Sequence, residues 1–465
     1  MSINELVQQA AGIISEFVDG LGERRVGATA TIEELRAAFG GPVPDDPADP
    51  SDVIAELAKA ADPGLVATPG PRFFGFVIGG SVPASLAADL LTTGWDQNAG
   101  LVVAAPAEAA VEEITGRWLA ELLALPHDVS FAFVTGGLMA NFTGLAVARN
   151  HLLGAAGWDV ETEGLTGAPP ITVLVGEDRH VTVDAALRYL GLGSGRSVIV
   201  PCDDEGRMDP DGLRVALAGV EGPVIVSASA GNVNTGSFDP LRDVCEITHE
   251  HGGWVHVDGA FGLWAAAAPE RRHLIEGSEL ADSWATDAHK WLNVPYDSGL
   301  VFTAHPESHR AAMGQRASYL VKESDGGARD QLDFSPEFSR RGRGFPVYAA
   351  IRSLGRSGIA DMIERCCRLA TRFAETLGEQ AGVEIMNDVV LNQVLVRFDD
   401  DDATTNDVIR RVQEDGTCWL GGATWKGRSV MRISVSNWST TESDVDRSAA
   451  AILRCYRAAS GGAGS

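Results

Sequence analysis

No stretch of this chain is apolar for anything near the roughly 20 residues that a membrane-crossing helix needs. Its opening segment, Ser2 to Gly20, lacks the basic lead of a signal peptide and reads as an amphipathic helix. Basic residues are scarce: 37 Lys and Arg stand against 64 Asp and Glu, a net charge of −27. A chain this acidic is a poor partner for nucleic acid or an anionic membrane, and any anionic ligand has to be held by donors arranged locally. The six cysteines (Cys202, Cys245, Cys366, Cys367, Cys418, Cys455) include no CxxC pair and no histidine at metal-ligand spacing. That argues against a zinc site and for reduced thiols within the fold. A soluble, cytoplasmic protein with no metal is the expectation.

What is present is ordinary globular composition, 45% apolar and 22% charged over 465 residues, enough for a large core and two or three domains. Residues 4–38 have helix-period apolar positions and run into a proline-punctuated linker, Gly40 to Pro47. Long helices then alternate with short apolar strands. Helices are expected over Glu108–Leu125 and Ala140–Leu153. Strands are expected at Phe131–Val134, Ile171–Val175, Ser197–Val200, Val224–Ser227, Trp254–Val257 and Gly299–Phe302. Such a pattern predicts an α/β fold whose mostly parallel sheet is covered on both faces. Near residue 340 it changes. Helices through Val347–Ile351 and Ile359–Leu377 precede the strands Gln393–Phe398 and Val430–Val435 and a closing helix, Asp444–Ala458, before a flexible glycine-rich tail. The expected domains are an N-terminal helical arm and linker (1–75), a large domain (76–338) and a smaller C-terminal α+β domain (339–465). No repeat of 20–50 residues is present.

In an open α/β sheet, ligands bind beyond the carboxyl ends of the strands. Four loops lie there. Thr135–Asn141 contains Gly136 and Gly137 ahead of a helix start, which suits a phosphate. Glu177–Thr182 carries His180, a flat ring able to stack on another. Asn232–Gly236 is a polar turn, equally suited to touching a ligand or to being only a turn. Asp258 follows the apolar strand Trp254–Val257 directly, a place where a carboxylate without a basic partner is costly and a cationic ligand nitrogen would satisfy it. Lys290, in Asp287-Ala288-His289-Lys290-Trp291, follows 32 residues later. A lysine amine forms a Schiff base with an aldehyde, and an aspartate keeps a pyridine nitrogen protonated. These are the two protein groups pyridoxal phosphate chemistry most needs.

The ordered set of glycine turn, His180, His256-Val257-Asp258-Gly259-Ala260 and Asp287–Trp291 resembles the group II pyridoxal-phosphate-dependent amino acid decarboxylases, of the aspartate-aminotransferase-type fold (fold type I). The likeness runs from about Phe73 to Thr441. It includes Arg72–Phe76, similar to an aromatic segment at the family's active-site mouth, and Ser339–Phe345, similar to the arginine-rich stretch that opens its last domain. Arg432–Asn437 is similar to its C-terminal strand. The resemblance implies a cofactor-binding large domain with Lys290 as the Schiff-base lysine and Asp258 as partner of the pyridine nitrogen. It implies that His180 stacks on the ring with Ala260 opposite, and that Gly136, Gly137 and the Leu138 N–H cradle the phosphate with Asp287 and His289 nearby. Two positions depart from the family. Leu138 replaces a common phosphate-binding serine, and Val233 stands where threonine is frequent.

The reaction this implies is decarboxylation of an L-amino acid. In the family a mobile loop carries a tyrosine that returns a proton to the substrate carbon. The corresponding stretch, Tyr319–Phe338, contains Ser324-Asp325-Gly326-Gly327 and offers Tyr319 and Phe334. Phe334 in the tyrosine's place would favour the aldehyde-synthase route instead. Aminotransferase and C–S or C–C lyase chemistry are further alternatives on the same scaffold, and a dimeric binding module that has lost activity is a non-enzymatic one. A homodimer with shared active sites is expected, because the arm's stripe of Leu6, Ile13, Ile14 and Phe17 needs burial.

Overall fold

The computed structural model describes residues 2–315 and 329–460. Tyr319, the Ser324–Gly327 stretch and the tail after Ser460 lie outside the described residues. Two compact units make up the chain: one is Ser81–Ala370 with Asn387–Gln393, the other Met1–Gly80 with Thr371–Met386 and Val394–Ser465.

The first unit holds seven strands: β1 Ser130–Val134, β2 Thr172–Gly176, β3 Val198–Val200, β4 Val224–Ser229, β5 Trp254–Asp258, β6 Ser283–Asp287 and β7 Gly299–Thr303. They pair in the order β1-β7-β6-β5-β4-β2-β3. Strands β3, β2, β4, β5 and β6 run in parallel, and β7 alone opposes its neighbours β6 and β1. This is the mostly parallel sheet that the apolar runs predict. Every residue of β1, β5, β6 and β7 is buried. Leu145, Val147 and Leu152 of the helix Gly137–Ala155 share a core with Val173, Val175, Leu187, Ile225 and Trp254. Each such side chain contributes roughly 1.5–3 kcal/mol on burial.

Two features differ from expectation. Strand β6 escapes the apolar pattern because Ser283, Thr286 and Asp287 interrupt it, yet all three are buried and the first two have partners. Ser283 Oγ accepts from Trp254 Nε1–H at 2.9 Å, and Thr286 Oγ1 donates to the Ala260 carbonyl at 3.3 Å. The stretch 339–370, placed by its sequence with the C-terminal strands, lies in the first unit. Arg340 accounts for this. Buried, it pairs with Glu112 at 2.8 Å and donates to the Phe133 carbonyl of β1 at 2.8 Å. Arg343 pairs with Asp297 at 2.8 Å. The helix Gly344–Gly378 is interrupted at Gly355, between the two helices expected there.

The second unit contains β8 Val383–Ile385, β9 Gln393–Phe398, β10 Gly421–Trp425 and β11 Arg428–Ser434, in the order β10-β11-β9-β8. Arg72 is buried in it, donating to the Thr417 carbonyl at 2.7 Å and the Arg24 carbonyl at 3.1 Å. Phe73 stacks on Trp419 with ring centres 5.0 Å apart, and Phe74 packs edge-on against Phe373. Of the aromatic segment, only Phe76 stays exposed. The arm forms the helices Ile3–Gly20, Ile32–Phe39 and Pro50–Ala61, none of which has a fully buried residue.

Candidate active site

The parallel strands end on one edge of the sheet, and the loops after β1, β2, β5 and β6 bring the candidate residues there. Beyond β6, Lys290 Nζ lies 3.1 Å from Asp287 Oδ2. His289 Nε2 lies 3.5 Å from Asp287 Oδ1, and its Nδ1 accepts from the Ser298 N–H at 3.1 Å. Burial holds the His289 pKa below the usual range, so the ring is neutral with its proton on Nε2, facing Asp287. Tyr296 stacks on the ring's face at 4.2 Å. Asp287 Oδ1 has no hydrogen-bond partner among the described residues.

After β1, Thr135 and Gly136 lead into the helix Gly137–Ala155. Its first N–H groups, of Gly137, Leu138 and Met139, have no acceptor inside the helix and sit at its positive dipole end. A Cβ at Gly137 would come within 2.8 Å of Asp287 Oδ2, so this close approach requires glycine. The turn, His180, Thr182, Ala260, Asp287, His289 and Lys290 enclose a cavity of about 340 Å³, within the usual size of a cofactor site.

Asp258, 7% exposed, accepts from Asn141 Nδ2 at 3.0 Å and from the Ala260 N–H at 3.3 Å. No ion pair reaches it among the described residues. It lines a smaller space beside the cavity, together with Asp178, Ser227 and Asp239, and His180 borders both. His180 caps the helix Val181–Tyr189, its Nδ1 lying 2.7 Å from Thr182 Oγ1.

A sequence model described as the pyridoxal-dependent decarboxylase conserved domain matches residues 33–399. The chain belongs to this family. It is 25% identical over 456 residues to an aromatic-L-amino-acid decarboxylase of Bacillus atrophaeus, covering 95% of this chain and 92% of that one. A tyrosine decarboxylase of Oryza sativa subsp. japonica is 27% identical over 394 residues, 82% of this chain and 74% of the relative. The fold matches the crystal structure of Oryza sativa TDC with PLP and tryptamine at a TM-score of 0.91 and 22% identity, over 98% of both chains. The chain is a decarboxylase of amino acids, a carboxy-lyase, and its cofactor is pyridoxal phosphate.

The residues present fit that group. An amine enters the cavity, a carboxylate without a cation stands beside it, and a helix start offers unpaired N–H groups for an anion. Two readings that the sequence leaves open are narrowed. Asn232 Oδ1 accepts from the Asn234 and Thr235 N–H groups at 2.8 and 3.4 Å, so the turn Asn232–Gly236 is closed on itself and does not line the cavity. Phe334 lies under Arg329, whose guanidinium sits 3.8 Å from its ring centre, and packs with Ala132 and Val134 of β1. It too is absent from the cavity wall.

Four partners behind the site carry no role in the sequence pattern: Asn141, Thr182, His256 and Ser283. Asn141 closes the glycine-turn segment, but its hydrogen bonds run to residues 41, 115 and 117 positions away. No local spacing signals that.

Proposed function

We propose that Lys290 is the amine through which this enzyme attaches pyridoxal phosphate and decarboxylates an L-amino acid. The observation that carries it is the cavity itself, where Lys290 is the one lysine among the described lining residues and stands with the glycine turn, His180, Ala260 and Asp287. Bound there, the cofactor supplies an electron sink for the pair left on Cα when CO2 departs.

The chain's own residues orient and hold charge. Gly136, Gly137 and the N–H of Leu138 grip the phosphate, and the neutral His289 presents Nε2–H from the side. With leucine at position 138, this grip rests on backbone donors rather than on a hydroxyl. Asp258 would accept a hydrogen bond from the protonated ring nitrogen and so keep it protonated, and Ala260 and His180 would bound the ring's two faces. Because Thr182 occupies Nδ1 of His180, the proton it can hold beside the substrate is on Nε2. Asp287 steadies the Lys290 amine.

Phe334, packed against β1, gives no support to the aldehyde-synthase route. Incubating the holoenzyme with aromatic and acidic L-amino acids, with mass spectrometry for amine, aldehyde, keto acid and CO2, tests the reaction. Amine and CO2 in equal amounts are expected; aldehyde with CO2 and peroxide would refute amine as the product, and keto acid without CO2 would refute decarboxylation itself.

The enzyme works as a cytoplasmic homodimer whose active sites draw on both subunits. Support comes from the arm. Leu6, Ile13, Ile14 and Phe17 are only half-buried, while Ile3, Val7, Ile32, Phe39, Val53 and Leu57 are exposed. So much apolar surface on a small helical segment calls for a partner. No helix among the described residues is long and apolar enough to cross a membrane.

A further inference from the structure

We infer that Asn141 is a positioning residue that orients Asp258 and His180 together, and that His256 and Ser283 lock its amide from behind. The inference rests on the assignment of Asp258 to the cofactor's ring nitrogen.

Trp254, Ser283, His256, Asn141 and Asp258 form one buried hydrogen-bond chain, with a branch from Asn141 to the half-buried Thr182. Trp254 Nε1 lies 2.9 Å from Ser283 Oγ, Ser283 Oγ 2.8 Å from His256 Nδ1, and His256 Nε2 2.9 Å from Asn141 Oδ1. Asn141 Nδ2 then reaches Asp258 Oδ2 at 3.0 Å and Thr182 Oγ1 at 3.3 Å. The chemistry at the two ends sets the direction. Indole N–H only donates, and an ionised carboxylate only accepts. Asn141 therefore turns its NH2 toward Asp258 and its oxygen toward His256. His256 must then carry its proton on Nε2 and accept at Nδ1 from the Ser283 hydroxyl. Burial pushes the His256 pKa down to about 4, so a single neutral tautomer is held.

The second Asn141 hydrogen goes to Thr182 Oγ1, whose hydroxyl proton then points at His180 Nδ1, 2.7 Å away. One amide orientation thus fixes an acceptor for the ring nitrogen and the tautomer of the ring-stacking histidine. The fold makes room for the lock at Gly144. A Cβ there would lie 2.7 Å from His256 Cε1 and 2.8 Å from its Nδ1. Of these groups His180 and Thr182 line the cavity and Asp258 the space beside it, whereas Asn141, His256 and Ser283 line neither and act through them.

The test uses holoenzyme loaded with pyridoxal phosphate labelled with 15N in the ring, reading that nitrogen's chemical shift against pH and the cofactor's Kd. In a histidine-to-glutamine change the amide N–H takes the place of Nε2–H. His256→Gln is therefore expected to keep the ring nitrogen protonated, as in the native enzyme. His256→Leu and Asn141→Leu should lose that protonation as pH rises through neutrality and weaken cofactor binding about tenfold, the value of one hydrogen bond to a charged group. Ser283→Ala, which deletes one oxygen and leaves the packing otherwise in place, should shift the titration in the same direction if the leucine variants do not fold.

A native-like titration in folded His256→Leu or Ser283→Ala, alongside lost protonation in Asp258→Ala, overturns the relay and leaves Asp258's role standing. A native-like titration in Asp258→Ala overturns that role, and the relay with it. In the native protein, histidine NMR should show His256 neutral and protonated on Nε2; the Nδ1–H tautomer or an imidazolium would refute the lock.

Discussion

Replacing Gly137 with alanine puts a methyl group where the glycine turn meets Asp287. That Cβ lies 2.8 Å from Asp287 Oδ2, well inside the ~3.5–4.0 Å of ordinary contact. Asp287 is only 1% exposed, and the same oxygen is 3.1 Å from Lys290 Nζ. Relief requires turning the carboxylate off the lysine or shifting the helix start that grips the phosphate. Overpacking of this kind costs about 1–3 kcal/mol. Alanine's better helix propensity returns at most about 1 kcal/mol, and returns it to the fold rather than to the site. The expected result is a loss of pyridoxal phosphate affinity of about tenfold, up to a hundredfold, with a nearly unchanged unfolding midpoint. Gly136→Ala is the control. Its Cβ would meet His289 Cε1 at 3.2 Å and Asp287 Oδ1 at 3.6 Å, contacts that a small adjustment relieves, so its loss should be several-fold smaller. Fluorescence titration of each apoenzyme with cofactor measures both. Native affinity in Gly137→Ala, or a larger loss in Gly136→Ala, would refute the close-approach argument.

Lys290→Ala should abolish turnover and the borohydride-reducible adduct; of the four lysines, Lys59 lies on the arm helix, Lys426 follows β10 and Lys322 is outside the described residues. A covalent adduct surviving in this variant, located by peptide mapping, would identify another lysine. Buried Glu108, beside Glu112, has its pKa raised to about 8, first by burial and then by that neighbour. The folded protein keeps this proton up to about pH 8 while the unfolded chain releases it near pH 4.5, so stability falls as pH rises through that window. Glu108→Gln should flatten this slope in denaturant unfolding curves, and a native-to-variant stability difference independent of pH would contradict the assignment. Deleting residues 1–40 should weaken dimerisation and cofactor retention together; a fully active monomer at micromolar concentration in sedimentation would sink the shared-site dimer.

The large sheet was legible because its strands are short apolar runs between helices, a pattern that local packing against two faces imposes. Strand β6 was not, since Ser283, Thr286 and Asp287 look like loop residues until Trp254 Nε1–H and the Ala260 carbonyl supply two of them with partners. The expected boundary near residue 339 does not coincide with the division between the two compact units, for a similar reason. The arginine cluster reads as a domain opening, but Arg340 is a buried ion-pair partner of Glu112, on a helix more than 200 positions earlier. Whether Phe334 takes a loop tyrosine's place was left open by the sequence; its ring packs beside β1.

By itself the sequence determined the family, the cofactor and the parallel sheet. Lys290, Asp258, His180 and the glycine turn keep a fixed order along the chain, and strand and helix periodicity are local properties. Only the tertiary structure decided which atoms meet. It set Lys290 against Asp287, bent the turn Asn232–Gly236 back on itself and joined Asn141 to His256 across 115 positions. Hydrogen bonds of that range depend on how whole elements pack, and no spacing along the chain encodes them.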